Sequence, residues 1–242
     1  MPEKEIYSIA EAGEITKSLQ IIHYDYSGKN KFQFSAIAMN QVLQNPSGAH
    51  YDLLTVGINS KKYLENIGFF GSAYYQTGKN TLAQSKNAYQ FSANVDFLIH
   101  SKFNVILGTE WLSGRNFDTD SGENKSFSPM YGTNHLHNGF MDYFYFGNSH
   151  FNSFGLNDYY LKSNLKFSPN SILQANLHAF TSNGKLGFDT SGEKIPSYLG
   201  TELDLVFTHK IGKSITANLG HSFMFSGKSM EYLKNVPEPK NL

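Results

Sequence analysis

Polar and apolar residues alternate along much of this chain. Between Tyr89 and Ile99 every second residue is apolar, and the residues between them are polar except for Leu98. Successive side chains of a strand point to opposite faces, so an alternation with period two is typical of a strand with one apolar and one polar face. This stretch therefore predicts a strand about ten residues long.

The same pattern recurs and predicts about ten strands. Many of them are about nine to eleven residues long, which is the length that a tilted strand needs to cross a bilayer. Strands in soluble domains are usually about five or six residues long. The predicted strands are Lys17–Tyr26, Phe32–Met39, Leu53–Ile58, Ile67–Gln76, Tyr89–His100, Phe103–Trp111, Asp158–Phe167, Leu173–Ala179, Leu199–Phe207 and Ile215–Phe225.

Short and long connections alternate between these strands. The short turns are Ser27–Asn30, Asn59–Asn66, His100–Lys102, Ser168–Ser171 and Thr208–Ser214. The long loops are Asn40–His50, Thr77–Asn87, Ser113–Asn157 and Thr181–Tyr198. Bacterial outer-membrane barrels have short periplasmic turns and longer extracellular loops. The pattern thus favours an all-β, antiparallel transmembrane β-barrel.

Aromatic residues concentrate near the ends of the predicted strands, where barrels carry girdles at the two membrane interfaces. These residues are Tyr24, Tyr26, Phe32, Tyr75, Tyr89, Phe103, Trp111, Tyr159, Phe167 and Phe225. The chain has 20 Phe and 15 Tyr, whereas charged residues make up only 17%. Soluble domains usually reach about 25% charged residues. The composition therefore agrees with a bacterial outer-membrane location.

The predicted organisation is one barrel with two flanking segments. Residues 1–16 form an N-terminal segment that has no apolar core, so we expect any signal peptide to lie outside this chain. The barrel strands occupy 17–226, and residues 227–242 are expected to form a loop that leads to a missing final strand. Open sheet edges cannot lie in lipid, so we expect a fragment of a barrel with more strands.

Charge and cysteine content exclude several other classes of function. The 20 basic and 20 acidic residues balance, and no basic face indicates nucleic-acid binding. The chain has no cysteine, which excludes disulfides and thiolate metal sites. His135 and His137 flank Leu136 but have no acidic partner at a characteristic spacing. We therefore predict no metal, no cofactor and no enzymatic activity.

Charged residues on the polar faces of the strands are candidates for lining a pore and setting its solute preference. The long loop, residues 113–157, is a possible constriction of the pore. Its segment Phe127–Phe154 is rich in Tyr and Phe, which stack on sugar rings, and in Asn and His, which hydrogen-bond to hydroxyl groups. The pore-lining candidates are Asp96, Glu110, Arg115, Asp158, Lys162, Lys166, Glu202 and Asp204. The carbohydrate-contact candidates are Tyr131, Asn134, His135, Phe140, Asp142 and Tyr143.

Three segments carry a resemblance to a known family. Phe127–His135, Asn138–Phe144 and Tyr198–Leu205 are similar to the alginate-export family of outer-membrane porins in its Bacteroidetes form, and the likeness runs from about Ser113 to Met230. The resemblance implies a monomeric barrel in outer-membrane lipid that lets a polysaccharide or a small solute diffuse through. Polyanionic alginate calls for an arginine-rich pore, and Arg115 is the only arginine, which argues against alginate itself.

Two other classes of function remain open from the sequence. An outer-membrane enzyme acting on lipid or glycan needs a Ser–His pair on one face, but the neighbours Ser222 and His221 point to opposite faces. A soluble β-sandwich or lipocalin-like binder also alternates but puts its apolar face inside. That alternative predicts that Phe91, Phe97 and Leu177 are buried.

Overall fold

A computed structural model of the chain describes residues 15–130, 138–144 and 153–234. All ten expected strands are present, together with one very short strand and one short helix. The elements are β1 (Ile15–Ser27), β2 (Phe32–Gln44), β3 (His50–Leu64), β4 (Ile67–Lys79), β5 (Ser85–His100), β6 (Phe103–Leu112), β7 (Glu123–Asn124), β8 (Leu156–Ser168), β9 (Ser171–Thr181), β10 (Tyr198–Ile211), β11 (Ile215–Ser226) and α1 (Lys228–Lys234).

The strands form one sheet in which each long strand pairs with the next one along the chain. The order is β1-β2-β3-β4-β5-β6-β8-β9-β10-β11, and β7 pairs in parallel with the start of β5. All other pairings are antiparallel, which confirms the all-β antiparallel prediction. Among the described residues, β1 and β11 are unpaired edges, so the sheet is open rather than a closed barrel. No helix in this part of the chain is long and apolar enough to span a membrane.

The two faces of the sheet differ sharply in polarity. We call the face that carries Asp158 and Glu202 the inner face and the opposite one the outer face. Residues in register share a face, so the pairings assign every side chain of β4–β6 and β8–β11, all within the described ranges. Their outer faces carry Asp, Glu, Lys or Arg only at Lys79, at the tip of β4. All the other charges on these strands lie on the inner face.

Large apolar side chains cover the outer face and are exposed. Phe91 is 42% exposed and Leu177 44% exposed, and Phe97 is exposed as well, whereas a soluble sandwich would bury them. At the loop end of the outer face, ring centroids are 6.0 Å apart for Phe91 and Trp111 and 6.5 Å apart for Trp111 and Tyr159. Tyr75 and Tyr89 continue this aromatic row through their pairing on β4 and β5.

Two of the loops expected to be long are short. Strands β2 to β5 extend further than the alternation indicated, which leaves only residues 45–49 and 80–84 as connections. The alternation of apolar residues ends before the strand pairing does. Backbone hydrogen bonds between β2 and β3 continue through polar residues such as Asn40 and Gln41. The loops 113–155 and 182–197 are long as expected, and the turns at the opposite end of the sheet are all short.

The two short loops, 45–49 and 80–84, share one turn geometry with residues 189–193 of the loop 182–197. An Asn or Asp at the first position accepts backbone N–H bonds from the third or fifth residue, as Asn45 does from Ala49, Asn80 from Gln84 and Asp189 from Glu193. The fourth residue has a positive φ in each turn, namely Gly48 at 87°, Ala83 at 62° and Gly192 at 85°. Hydrogen bonds, the strongest from the Ser191 hydroxyl, lower the pKa of the Asp189 carboxyl.

The expectation of a plain loop after Gly227 is wrong for its first part, because Lys228–Lys234 forms the helix α1. Met230 on this helix is buried in an apolar cluster, and the Ser229 hydroxyl donates to the Pro196 carbonyl at 2.6 Å. Met230, with Leu233 packed against the same cluster, therefore docks the helix against the loop between β9 and β10. The strand β1 also begins earlier than expected, at Ile15.

That apolar cluster closes the loop end of the inner face. It joins strand residues of β5, β6, β8, β9 and β10 to side chains from the loops and α1. Phe180 on β9 is fully buried and packs on Phe144 with ring centroids 4.5 Å apart. The cluster comprises Ala88, Leu112, Phe127, Leu156, Phe180, Leu186, Ile195, Leu199 and Met230. The core thus lies between the loops and one end of the sheet.

We expect Ala83→Gly to stabilise the protein by about 0.5–1 kcal/mol. A non-glycine residue in the left-handed region costs about 1–2 kcal/mol, part of which is offset by the greater freedom of glycine in the unfolded chain. The matched control is Gly48→Ala, where a Cβ would meet Gln44 Nε2 only at 3.7 Å, so strain alone should destabilise it by a similar amount. Urea unfolding of the refolded protein measures both, and equal stabilities would contradict this reading of the turn.

Candidate functional site

Seven of the eight pore-lining candidates lie on the inner face. Asp158, Glu202 and Asp204 are fully buried there, and Glu110 and Lys162 are partly buried nearby. Asp96 and Lys166 lie on the same face nearer the turn end of the sheet. The eighth candidate, Arg115, lies in the loop after β6, and its guanidinium is 4.2 Å from the centre of the Phe154 ring. Arg115 therefore packs within the loop rather than on a strand.

Asp158 and His178 form a buried pair at the centre of this face. Both Asp158 carboxylate oxygens lie 2.9 Å from His178 Nδ1, and the two residues lie on the neighbouring strands β8 and β9. The imidazole stacks on Phe180 with ring centroids 5.6 Å apart and lies 5.7 Å from Tyr160. The carboxylate therefore fixes the orientation of a histidine that is enclosed by rings.

Glu202 receives backbone N–H groups from the long loop. The Met141 N–H donates to Glu202 Oε1 at 2.9 Å, and the Phe140 N–H also points to this carboxylate. Gly139 has a φ of 85°, and a Cβ on it would lie 2.4 Å from Glu202 Oε1. Only a glycine lets the loop approach the buried carboxylate this closely.

Asp204 lies two residues further along β10, beside Asn176 in register on β9. Both carboxylate oxygens of Asp204 and Oδ1 of Asn176 are buried and have no hydrogen-bond partner, and the same is true of Glu202 Oε2. The carboxyl groups of Glu202 and Asp204 lie within hydrogen-bonding reach of each other. Two buried acids thus meet, and no other described residue donates to the Asp204 oxygens or to Glu202 Oε2.

Lys162 is the basic group nearest to these acids. Its charge interacts with Asp158, Asp204 and Glu110, and its Nζ lies 4.6 Å from the centre of the Tyr160 ring. Glu110 accepts a hydrogen bond from Gln90 Nε2 at 3.1 Å. The middle of the inner face therefore holds four carboxylates and one lysine, which gives it an excess of negative charge when His178 is neutral.

The long loop is also anchored on β4 and β5, several strands away from Glu202. The Lys86 ammonium, which is buried, donates to Asn124 Oδ1 at 3.1 Å, to the Ser126 carbonyl and to Ser128 Oγ at 3.2 Å. The Gln76 amide makes two hydrogen bonds with the backbone of Ser128, at 2.9 and 3.0 Å. These contacts hold residues 123–128 against the inner face.

The loop therefore touches the inner face at two places that are several strands apart. Its first anchor lies on β4 and β5 and its second, at Glu202, lies on β10. Of the carbohydrate-contact candidates, Phe140 is exposed and Tyr143 packs against the apolar cluster, while Asp142 is partly buried. Tyr131, Asn134 and His135 lie outside the described residues. The described parts of the loop thus contact the inner face on β4 and β5 and again on β10.

An exposed ion pair lies on the same loop. Lys125 Nζ is 2.9 Å from Glu123 Oε2, and the hydrogen bond and charge of Glu123 raise the pKa of Lys125. Exposed pairs of this kind contribute little to stability. The side chain of Lys125 is therefore accessible, although its carbonyl accepts a hydrogen bond from Ser113 Oγ at 2.8 Å.

Sequence reasoning missed the anchoring residues and the contact of one histidine. Lys86 and Gln76 fall at the polar positions of an alternating strand, where nothing distinguishes a buried anchor from a solvated side chain. His178 also falls at a polar position, and the structure buries it on the inner face beside Asp158. Its signal was the Asp158 carboxylate on the neighbouring predicted strand, which the register brings next to it.

The structure also brings together a Ser–His pair that the sequence did not reveal. Ser171 Oγ lies 2.9 Å from His209 Nδ1, and both residues belong to the outer face near the short turns. No third side chain hydrogen-bonds to His209 among the described residues. A hydrolase needs a group that orients its histidine, so this pair lacks part of that machinery.

Comparisons with known proteins neither support nor exclude a function. No protein-family model matches the chain, and no curated protein matches it. The likeness to alginate-export porins therefore stays a prediction. Across residues 15–130, 138–144 and 153–234, no three His, Asp or Glu side chains converge in a way that could hold a metal ion by themselves.

We expect Lys86→Ala to loosen the first anchor of the loop. The substitution removes the charged donor from Asn124 Oδ1, the Ser126 carbonyl and Ser128 Oγ, which costs about 1–3 kcal/mol. Since each 1.4 kcal/mol is about tenfold in an equilibrium, trypsin should cleave after Lys125 roughly 5- to 140-fold faster through local opening. The exposed Lys79→Ala serves as control, and limited proteolysis of the refolded protein gives the rates. Equal rates for Lys86→Ala and the parent chain would show that the anchor does not hold the loop.

Proposed function

We propose that this chain forms the wall of a bacterial outer-membrane channel through which small solutes or saccharides diffuse. The observation that carries the proposal is the polarity of β4–β6 and β8–β11, whose charged side chains lie on the inner face except for Lys79, while apolar side chains cover the outer face. On β3, Asp52 and Lys62 also lie on the outer face, near the two ends of the strand. An exposed apolar face of this extent needs lipid or another apolar surface against it. Outer-membrane barrels meet that need with an apolar outer band and a polar lumen.

The lengths of the strands and the aromatic row support the same proposal. The long strands have 10 to 16 residues, which is enough to cross the hydrocarbon core of a bilayer when tilted. Aromatic side chains at the loop end of the outer face match the girdle at a membrane interface. A closed barrel further requires that the β1 and β11 edges pair with each other or with further strands, because unpaired backbone groups are costly in lipid.

The inner face indicates which solutes such a channel would favour. Four carboxylates and one lysine surround the middle of the proposed lumen, and residues 139–141 of the long loop lie against one of these carboxylates, Glu202. Rings of acidic side chains favour cations and oppose anions. We therefore propose passage of neutral or cationic solutes, and we do not propose polyanionic alginate as the solute.

We expect Leu177→Lys to destabilise the protein in a bilayer by about 2–4 kcal/mol, which is the cost of a lysine on the lipid face near the midplane. Gln174→Lys, on the inner face of the same strand, is the matched control and should cost little. Equilibrium unfolding from lipid vesicles measures the two values. If both substitutions cost the same small amount, the outer face is in water and the membrane proposal fails.

We expect the reconstituted channel to be cation-selective. In a planar bilayer with a KCl gradient, the reversal potential should have the sign set by K⁺ permeation. Glu110→Gln keeps the shape that accepts from Gln90 but removes one lumenal charge, so selectivity should fall. Glu193→Gln in the exposed turn is the control and should leave it unchanged. Anion selectivity of the parent channel, or no conductance at all, would contradict the proposal.

A further inference from the structure

We propose that Glu202, Asp204 and Asn176 form a binding site for one hard divalent cation of the calcium class, on the inner face under the long loop. The observation behind it is a set of buried oxygen atoms that have no donor. Asp204 is 0% exposed and neither of its oxygens has a hydrogen-bond partner, and one oxygen of Glu202 is in the same position.

The amide of Asn176 is an independent sign of the same need. This side chain lies beside Asp204 in register, is 1% exposed, and leaves its Oδ1 without a donor. An isolated buried acid pair could share one proton, but a proton would not serve the amide oxygen as well. A cation serves all of these oxygens together.

The loop carries a further buried oxygen one residue away from its contact with Glu202. Asn138 precedes Gly139, which lies against the Glu202 carboxylate, and Oδ1 of Asn138 is also buried without a donor. Calcium takes six to eight oxygen ligands from carboxylates, amides and backbone carbonyls in a flexible geometry. Two carboxylates cannot complete such a shell, so the amides and loop carbonyls are needed.

The surrounding charges favour a cation and set its limits. Lys162 also interacts with Asp204, but Asp158 and Glu110 share its charge. His178 faces Asp158, its hydrogen-bond partner on the neighbouring strand. The acids near Lys162 outnumber the single positive charge that it supplies. Carboxylates that are buried without a compensating charge are costly, so a further cation would be favourable here. A bound cation would therefore fasten the loop to β9 and β10.

The test is a calcium titration of the full chain, refolded in zwitterionic detergent micelles and freed of metal with a chelator. Calorimetry with CaCl₂ should show one site with a Kd of roughly 10⁻⁴ to 10⁻³ M, the range of extracellular calcium modules. Thermal unfolding should shift upward with CaCl₂, because the ligand binds the folded state. Asp204→Asn should weaken binding at least about tenfold, since it removes one of the two ligand charges.

Two further variants make the result decisive. Asn176→Leu keeps the size of the side chain and removes the amide oxygen, so calcium binding should also weaken. Asp96→Asn is the control, because this inner-face carboxylate is bonded to Asn104 away from the site and its variant should bind calcium like the parent.

Absence of calcium binding by the folded parent chain would overturn the proposal, and it would leave a proton shared by Glu202 and Asp204 as the better account. Equal binding by Asp204→Asn and the parent would overturn it too. Binding in micelles does not depend on conduction, so this site and the channel can fail separately.

Discussion

Alternation along β4–β6 and β8–β11 separates the charged side chains from the apolar surface of the sheet, and the proposed membrane face depends on that separation. A strand whose side chains alternate must place its charged residues on one face, and antiparallel pairing in register then adds the faces of neighbouring strands together. The result is an uncharged outer surface from β4 to β11, apart from Lys79 at a strand tip. One register slip in β5, β6, β8 or β10 would turn charges outward.

Because the charges lie on one face, several of them are buried, and the long loop supplies some of the hydrogen-bond partners that they need. Buried acids and a buried lysine need partners, and the neighbouring strands supply only some of them. The loop brings backbone N–H groups to Glu202 and carbonyl and hydroxyl oxygens to Lys86. The described contacts between the loop and the inner face are therefore largely contacts with charged groups, and a bound cation would satisfy the acids that remain.

The sequence predicted the regular part of this structure well, because period two is a local signal. All ten long strands and the inward direction of Asp158, Glu202 and Asp204 followed from alternation. The ends of β2 to β5, the helix α1 and the loop anchors did not, since they depend on contacts between residues far apart in the chain. Lys86 and Ser126, for example, are joined only by folding. The closure expected for a barrel is not seen, because the described sheet has two free edges.

The side chain of Trp111 allows the central claim to be measured directly, because it is the only tryptophan and lies on the outer face. In vesicles that contain the refolded chain, its fluorescence should be quenched by lipids brominated along their acyl chains and protected from aqueous iodide. That result would place the apolar face of the sheet in lipid. Quenching by iodide with no effect of brominated lipid would put that face in water and contradict the account.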